Sequence, residues 1–301
     1  MIEFREINKS FKGDFWKEKK KVLKDLSFKV EPGSLCGFLG ANGAGKTTSI
    51  KGLLGFISFD SGTIEFNASM GNTSQKIKSN VGYFPERPYF YPGMTGREFA
   101  MYLGGLQGLS ASDSREQILK WSKRLSIEFA LDQKIRSYSK GMLQRLGFVT
   151  CLIHRPTFVV LDEPLSGLDP MGRKEFKDIL LELNKQGVTI FFSSHIVSDV
   201  EEVSDSLVVI KDGTTFFSGS KRELLRQEMG KNVRIAFLAE RDIDLGDAEV
   251  LNKEGNLYRV VVPFDNKNIL VKSLLDQSCT IEDLHVERLT LEEIIYNSRQ
   301  N

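Results

Sequence analysis

The stretch "SLCGFLGANGAGKTTSIKGLLGFI", Ser34 to Ile57, decides the fold. It begins as a short apolar strand, becomes rich in glycine, and continues with apolar residues at helical spacing. Within it, "GANGAGKT", Gly40 to Thr47, fits G-x-x-x-x-G-K-[ST] after a strand and before a helix, where a phosphate-binding loop must lie. Glycines let successive backbone N–H groups curl around phosphate oxygens, and the helix N-terminus adds partial positive charge. Gly40, Ala41, Asn42, Gly43, Ala44, Gly45, Lys46, Thr47 and the adjoining Thr48 are therefore expected to bind nucleotide. Lys46 is expected to bridge the β- and γ-phosphates, and the Thr47 hydroxyl to ligate Mg²⁺.

A second stretch, "FVVLDEPLSGLDP", Phe158 to Pro170, ends an unbroken apolar run in two adjacent carboxylates, Asp162 and Glu163. Burying an unpaired carboxylate is costly, so a cation or a chemical task should await the pair. Asp162 would end a strand of the same sheet, at the carboxyl edge where open α/β folds bind ligands. There it can hold Mg²⁺, directly or through water. Glu163 is then free to orient or deprotonate an attacking water. By itself the pair reads equally as capping acids after a core strand; beside a phosphate loop, the metal reading is the expectation.

Around these motifs the chain alternates. "IEFREI" and "LKDLSFKV" read as strands, joined by the polar insert "KGDFWKEKKK", a solvated hairpin tip. Residues from about 95 to 152 are helical in pattern, with Met142, Leu146, Val149 and Ile153 on one helix face. Strand "FVVLD" is followed by a helix carrying Phe176, Ile179, Leu180 and Leu183, then by strands "VTIFFSS", "SLVVIK" and "TTFFSG". Apolar strands separated by amphipathic helices indicate an α/β fold with a mainly parallel sheet covered on both faces. After about Gly230 the pattern changes to strands "VRIAFLA" and "YRVVVPF", a helix near Asn268–Leu275 and a last helix "TLEEIIYNS". The expected domains are 1–228, with a helical subdomain at about 95–152, and a small α+β domain, 229–301.

Composition excludes other classes. The 301 residues are 27% charged and 41% hydrophobic, with net charge +1, which argues against a protein that coats nucleic acid. Cys36, Cys151 and Cys279 lack paired spacing and read as buried hydrophobes in a reducing compartment. Cys151 and His154 are one helical turn apart, but two ligands do not make a metal site. "MIEFREI" reads as a strand rather than a leader, and no apolar run approaches the roughly 20 residues of a membrane span. A cytoplasmic protein is expected. A GTPase would carry N-K-x-D; "NKQG", Asn184 to Gly187, lacks the aspartate.

"YSKGMLQR", Tyr138 to Arg145, lies shortly before the "FVVLDEP" strand; "SGLD", Ser166 to Asp169, and "FFSSH", ending at His195, follow. In order and spacing these motifs resemble the ATP-binding cassette (ABC) family over about residues 1–220. The resemblance implies ATP and Mg²⁺ as ligands and a head-to-tail dimer with a second copy or a paralogous subunit. It further implies that the signature segment Ser139, Lys140 and Gly141 acts across the interface, with Ser139 and the Gly141 backbone on the γ-phosphate, that His195 senses or positions that phosphate, and that Asp169 organises the dimer contact. Phe11 corresponds to the aromatic that stacks on adenine, with Val22 beside it; Phe15 and Trp16 are the alternatives.

Two departures from the family pattern stand out. Glu86, in "GYFPERPYF", occupies the position of the usual glutamine and is expected to reach Mg²⁺. Tyr138, Lys140 and Met142 replace the commoner leucine, glycine and glutamine. The family likeness implies the ATPase subunit of a transporter whose permease is a separate polypeptide, peripheral on the inner face of the cell membrane. The aromatics of "RPYFYPGM", Arg87 to Met94, either dock a permease helix or pack on their own helical region. The closing "LTLEEII" resembles the tail of ATPase subunits that serve bacterial exporters. Other class readings are a soluble cassette ATPase acting on ribosomes or DNA, and a regulator working through its C-terminal part.

Overall fold

The computed structural model describes residues 2–11, 19–227, 229–240, 243–246, 248–288 and 291–292. The chain divides into two compact units, Met1–Lys221 and Arg222–Asn301.

In chain order the first unit begins with β1 (Ile2–Phe11), β2 (Lys20–Val30), β3 (Leu35–Leu39), α1 (Lys46–Leu53), β4 (Ser61–Phe66), α2 (Ser74–Ser79) and β5 (Val81–Phe84). The helical stretch follows as α3 (Gly96–Leu106), α4 (Ala111–Arg124) and α5 (Lys140–Leu152). Then come β6 (Phe158–Asp162), α6 (Pro170–Lys185), β7 (Thr189–Ser194), α7 (Val197–Val203), β8 (Ser206–Lys211) and β9 (Thr214–Ser220). The main sheet has the order β5-β6-β7-β3-β8-β9, parallel except for the antiparallel edge strand β9. A second, antiparallel sheet has the order β2-β1-β4.

The local causes are plain. Every residue of β3 and of β6 is buried, so these strands read as apolar runs because both faces are covered. Phe28 of β2 meets Phe38 of β3 at 5.5 Å and Phe191 of β7 at 5.8 Å, and Phe38 meets Phe191 at 4.9 Å. These rings join the two sheets into one core. Helix α6 buries Phe176, Ile179, Leu180 and Leu183, the stripe read from sequence. Helix α5 departs from its single expected face. Phe148, Cys151 and Leu152 are buried beside Leu146, Val149 and Ile153, because Phe148 wedges between Phe84 and Phe176 at 5.9 and 4.7 Å. Strands β4 and β5 were not distinguished by periodicity, being four to six residues long.

Helix α8 (Lys221–Gln227) leads into the second unit. That unit holds β10 (Met229–Leu238), β11 (Glu249–Glu254), β12 (Leu257–Pro263), α9 (Lys267–Asp276) and β13 (Thr280–Arg288). Its antiparallel sheet runs β11-β12-β10-β13. Val233, Ile235 and Phe237 alternate on one face and pack with Val260, Val262, Leu270 and Leu274 into a separate core. The insert at 12–18 and, apart from Leu291 and Glu292, the last expected helix lie outside the described residues.

Phe191→Ala removes the ring between the two sheets and is expected to cost about 3–5 kcal/mol, read as a lowered urea midpoint of the first unit.

Candidate functional site

The phosphate loop is shaped by its glycines. Gly43 and Gly45 have φ of 83° and 112°, the left-handed region that glycine tolerates. A Cβ at Gly45 would stand 2.5 Å from Leu23 Cδ2, and one at Gly40 2.7 Å from the Ile210 carbonyl oxygen. At Gly40 and Gly45 the loop is thus pressed against β8 and β2 with no room for a side chain, whereas Gly43 is needed for its φ alone. No side chain caps α1, so the amides of its first turn face the loop interior. Lys46 is buried at 6% exposure, and its Nζ donates to the carbonyl oxygens of Gly40 at 2.7 Å and Ala41 at 3.4 Å.

Strand pairing brings the acids to this loop. Asp162 on β6 is the register partner of Ser193 on β7, whose hydroxyl donates to Asp162 Oδ1 at 2.7 Å. The Thr47 hydroxyl donates to the same oxygen at 3.3 Å. Asp162 is 1% exposed, and burial raises its pKa. The two hydroxyls oppose that rise, while the negative charges of Glu163 and Glu86 add to it. Among the described residues no lysine or arginine forms an ion pair with Asp162. Burial, with the charges of Asp162 and Glu86, pushes the neighbouring Tyr83 phenol up to about 12.

Glu163 lies at φ 51°, a left-handed conformation that costs a side-chain-bearing residue about 1–2 kcal/mol. Its N–H donates to Ser193 Oγ at 2.9 Å. The turn aims its carboxylate back over the loop, with Oε2 2.8 Å from His195 Nδ1 and Oε1 3.6 Å from Lys46 Nζ. His195 follows β7 directly, where the Ser194 hydroxyl accepts from the Ile196 N–H at 3.0 Å and fixes the turn.

Lys46, Glu163 and His195 line one cavity of about 620 Å³; Gly40, Ala41, Ala44 and Asp162 are not among its lining residues. Asn42, Gly43, Gly45, Thr47 and Thr48 of the loop line it as well, together with Glu86, Phe11 and Val22. Phe11 is 42% exposed, with the Lys9 ammonium 5.4 Å from its ring. Phe15 and Trp16 lie outside the described residues.

Ser139, Lys140, Gly141 and Asp169 do not line the cavity. Ser139 caps α5, accepting from the Met142 N–H at 3.2 Å, and Asp169 caps α6, accepting from the Gly172 N–H at 3.1 Å. Lys140 is exposed and lies across Gly167. In the Arg87–Met94 segment Phe90 is buried 5.2 Å from Phe99, so it packs on its own helical region, while Tyr89 is 78% exposed. Cys151 is buried, and His154 Nε2 is bonded to the Val81 carbonyl at 3.1 Å.

Sequence reading passed over Ser193, Lys20 and Ser166. Ser193 had a signal, since a hydroxyl at the end of "FFSS" falls opposite Asp162 once β6 and β7 pair in parallel. Lys20 and Ser166 also line the cavity, Ser166 from the "SGLD" motif and Lys20 from the end of the polar insert.

The residues fit ATP with Mg²⁺. A buried carboxylate without a cation sits beside a hydroxyl and an open amide cradle, and magnesium takes one or two carboxylates plus phosphate oxygens. A larger cavity of about 800 Å³, at the amino ends of β3 and β8, is a poorer candidate. Several of its charges are already engaged: Glu3 pairs with Arg5 and Lys29, and Asp205 accepts from the Leu35 N–H at 3.1 Å.

A mainly parallel sheet with this loop and acid pair at its carboxyl edge defines a phosphate-loop nucleotide-binding protein. A family description, ABC transporter, matches residues 23–166. An uncharacterized ABC transporter ATP-binding protein of Synechocystis is 42% identical over 77% of this chain, which spans 66% of that protein's length. The bacitracin transport ATP-binding protein of Bacillus licheniformis is 30% identical over 91% of this chain and 90% of its own. A solved ATP binding subunit of an ABC transporter superimposes with a TM-score of 0.65, covering 75% of this chain and 92% of its own at 27% identity. The chain belongs to the ABC transporter family, whose members bind and hydrolyse ATP. Among the described residues no helix is long and apolar enough to cross a membrane.

Asp162→Asn is expected to leave thermal stability without nucleotide unchanged or raised, because it removes a desolvated charge. The same variant should lose the extra stabilisation by ATP that depends on Mg²⁺. Since the raised pKa favours the protonated acid in the folded state, wild-type stability without metal should fall as pH rises from the ordinary Asp value through the raised one. Melting curves across pH 3–7 check the sign.

Proposed function

We propose that this chain is the ATP-hydrolysing subunit of a transporter whose membrane-spanning permease is a separate polypeptide. The reading is carried by the Glu163–His195 pair, held at 2.8 Å over a phosphate loop whose lysine is 3.6 Å from the same carboxylate.

Thr47, Asp162 and Glu86 would hold Mg²⁺, which would offset the charge on the γ-phosphoryl group of bound ATP. The backbone amides from Gly40 to Thr48 cradle the phosphates, and Lys46 turns from the Gly40 and Ala41 carbonyls to the β- and γ-phosphates. Phe11 and Val22 carry the adenine. His195 holds Glu163 Oε2, which leaves Oε1 to take the proton from the attacking water. That water's oxygen bonds to the γ-phosphorus as the β–γ bridging bond breaks, giving ADP and phosphate. Because Lys46 stands close to Oε1, its move to the phosphates also frees the base.

The domain assignment we favour is a cassette at 1–228, including the helical subdomain, with the small domain at 229–301 appended. Ser139, Lys140 and Gly141 act on the site of a second copy or paralogous subunit, and Asp169 helps to form that contact. Support comes from their position away from their own cavity, together with a helix N-terminus at Ser139 suited to an anion. Exposed Tyr89 is the docking point for the permease, which places the subunit peripherally on the inner face of the membrane. No nucleic-acid partner is assigned, in keeping with a net charge of +1. Likeness to a bacitracin transport protein and the tail "LTLEEII" favour export.

Glu163→Gln should keep ATP binding within about twofold and lower turnover by roughly 10²–10⁴, the range of a lost general base; wild-type steady-state hydrolysis would remove Glu163 from this role. Lys46→Ala should weaken ATP binding itself by calorimetry. Mixing Lys46→Ala with Ser139→Ala protein should restore one competent site in mixed dimers, so hydrolysis of the mixture should exceed that of either variant alone. No recovery at any ratio would refute action in trans.

A further inference from the structure

Helix α7, which follows His195, has no side-chain cap; Ile196 stands at that position. What fixes it laterally is a buried ion cluster with α6. Asp199, in its first turn, is 4% exposed. Asp199 Oδ1 lies 2.9 Å from Lys177 Nζ, and Oδ2 lies 3.5 Å from an Arg173 terminal nitrogen. Lys177 also meets Glu202 at 2.5 Å. The two cations are not equivalent. Arg173 alone reaches beyond the helix pair, its Nε donating to the Leu168 carbonyl oxygen at 3.3 Å. That oxygen belongs to the Ser166–Asp169 loop, whose Ser166 lines the nucleotide cavity and whose Asp169 caps α6.

One guanidinium therefore touches the loop after Glu163 and the helix after His195. Asp199 Oδ2 is fully buried yet lacks a hydrogen bond, so the contact to Arg173 is an ion pair with room to tighten. A planar guanidinium serves both partners through separate N–H groups, a geometry that a lysine ammonium does not reproduce.

We infer that Arg173 and Asp199 are positioning residues that tie the Ser166–Asp169 loop to α7 and thereby set His195 against Glu163. Displacement of the loop pulls Arg173 through Leu168. Arg173 pulls α7 through Asp199, and the Nδ1–Oε2 contact of His195 and Glu163 opens or closes in response. The catalytic consequence rests on the proposed role of the Glu163–His195 pair; the mechanical link does not.

The test compares Arg173→Lys with Glu202→Gln in the full chain. Arg173→Lys keeps a cation near Asp199 but loses the planar fork to Leu168, whereas Glu202→Gln perturbs the cluster on its solvent side. The chain has three histidines, so His195 ring signals can be followed by NMR and assigned with His195→Gln. Arg173→Lys should shift the His195 signals, leave melting within a few degrees of wild type, and lower kcat about tenfold with ATP affinity changed less than twofold. Glu202→Gln should leave kcat and the His195 signals unchanged. His195 signals unmoved in Arg173→Lys would overturn the link, whatever the turnover. Moved signals with wild-type kcat would support the link and instead sink the catalytic reading of the pair. Should Arg173→Lys melt early, Asp199→Asn, which keeps shape and removes the charge, must shift the same signals for the inference to stand.

Discussion

A single buried carboxylate organises the working edge of this protein. Asp162 is out of water at the end of a fully buried strand, and the chain answers its charge with two hydroxyl donors rather than a cation. Two neutral hydrogen bonds compensate a desolvated carboxylate only in part, which is why its pKa stays raised. Such a site is stabilised by whatever brings positive charge to it. Thr47, the first residue after Lys46, is one of the two donors, so the acid and the phosphate loop answer to the same ligand.

Glu163 illustrates a second constraint. Were the strand simply to continue, its side chain would point to the opposite face of the sheet. A left-handed φ of 51° turns the chain instead, and the Ser193 hydroxyl accepts the turned N–H. Ser193 therefore serves both acids at once, as donor to Asp162 and acceptor from Glu163. The conformation at Glu163 is held by β6, which ends at the residue before it, and by the Ser193 hydroxyl of β7, which accepts its N–H.

The helix caps show how one residue type can bear two readings. Ser139 and Asp169 satisfy the amides of their own helices, as any N-cap does. Both also sit at the N-terminal ends of α5 and α6, where partial positive charge collects. Local geometry is the same in either case, so capping by itself separates structural from functional use no better in the structure than in the sequence. Their absence from the cavity of their own chain is the added fact.

What the sequence determined by itself is everything governed by short-range rules. The phosphate loop was legible because only glycine tolerates φ of 83° and 112° at Gly43 and Gly45, and the apolar runs of β3 and β6 were legible because both their faces are covered. The stripe of α6 followed from the 3.6-residue period. Tertiary structure decided what depends on pairing between distant segments. Ser193 meets Asp162 across 31 residues, and His195 meets Glu163 across 32. Phe148 is buried because Phe84 and Phe176 arrive from elements on either side of it. Lys20 reaches the cavity only because β1 and β2 pair with Phe11 opposite it. Periodicity describes one element at a time, whereas strand register and ring packing are fixed by the joint burial of many, and no local pattern carries that information.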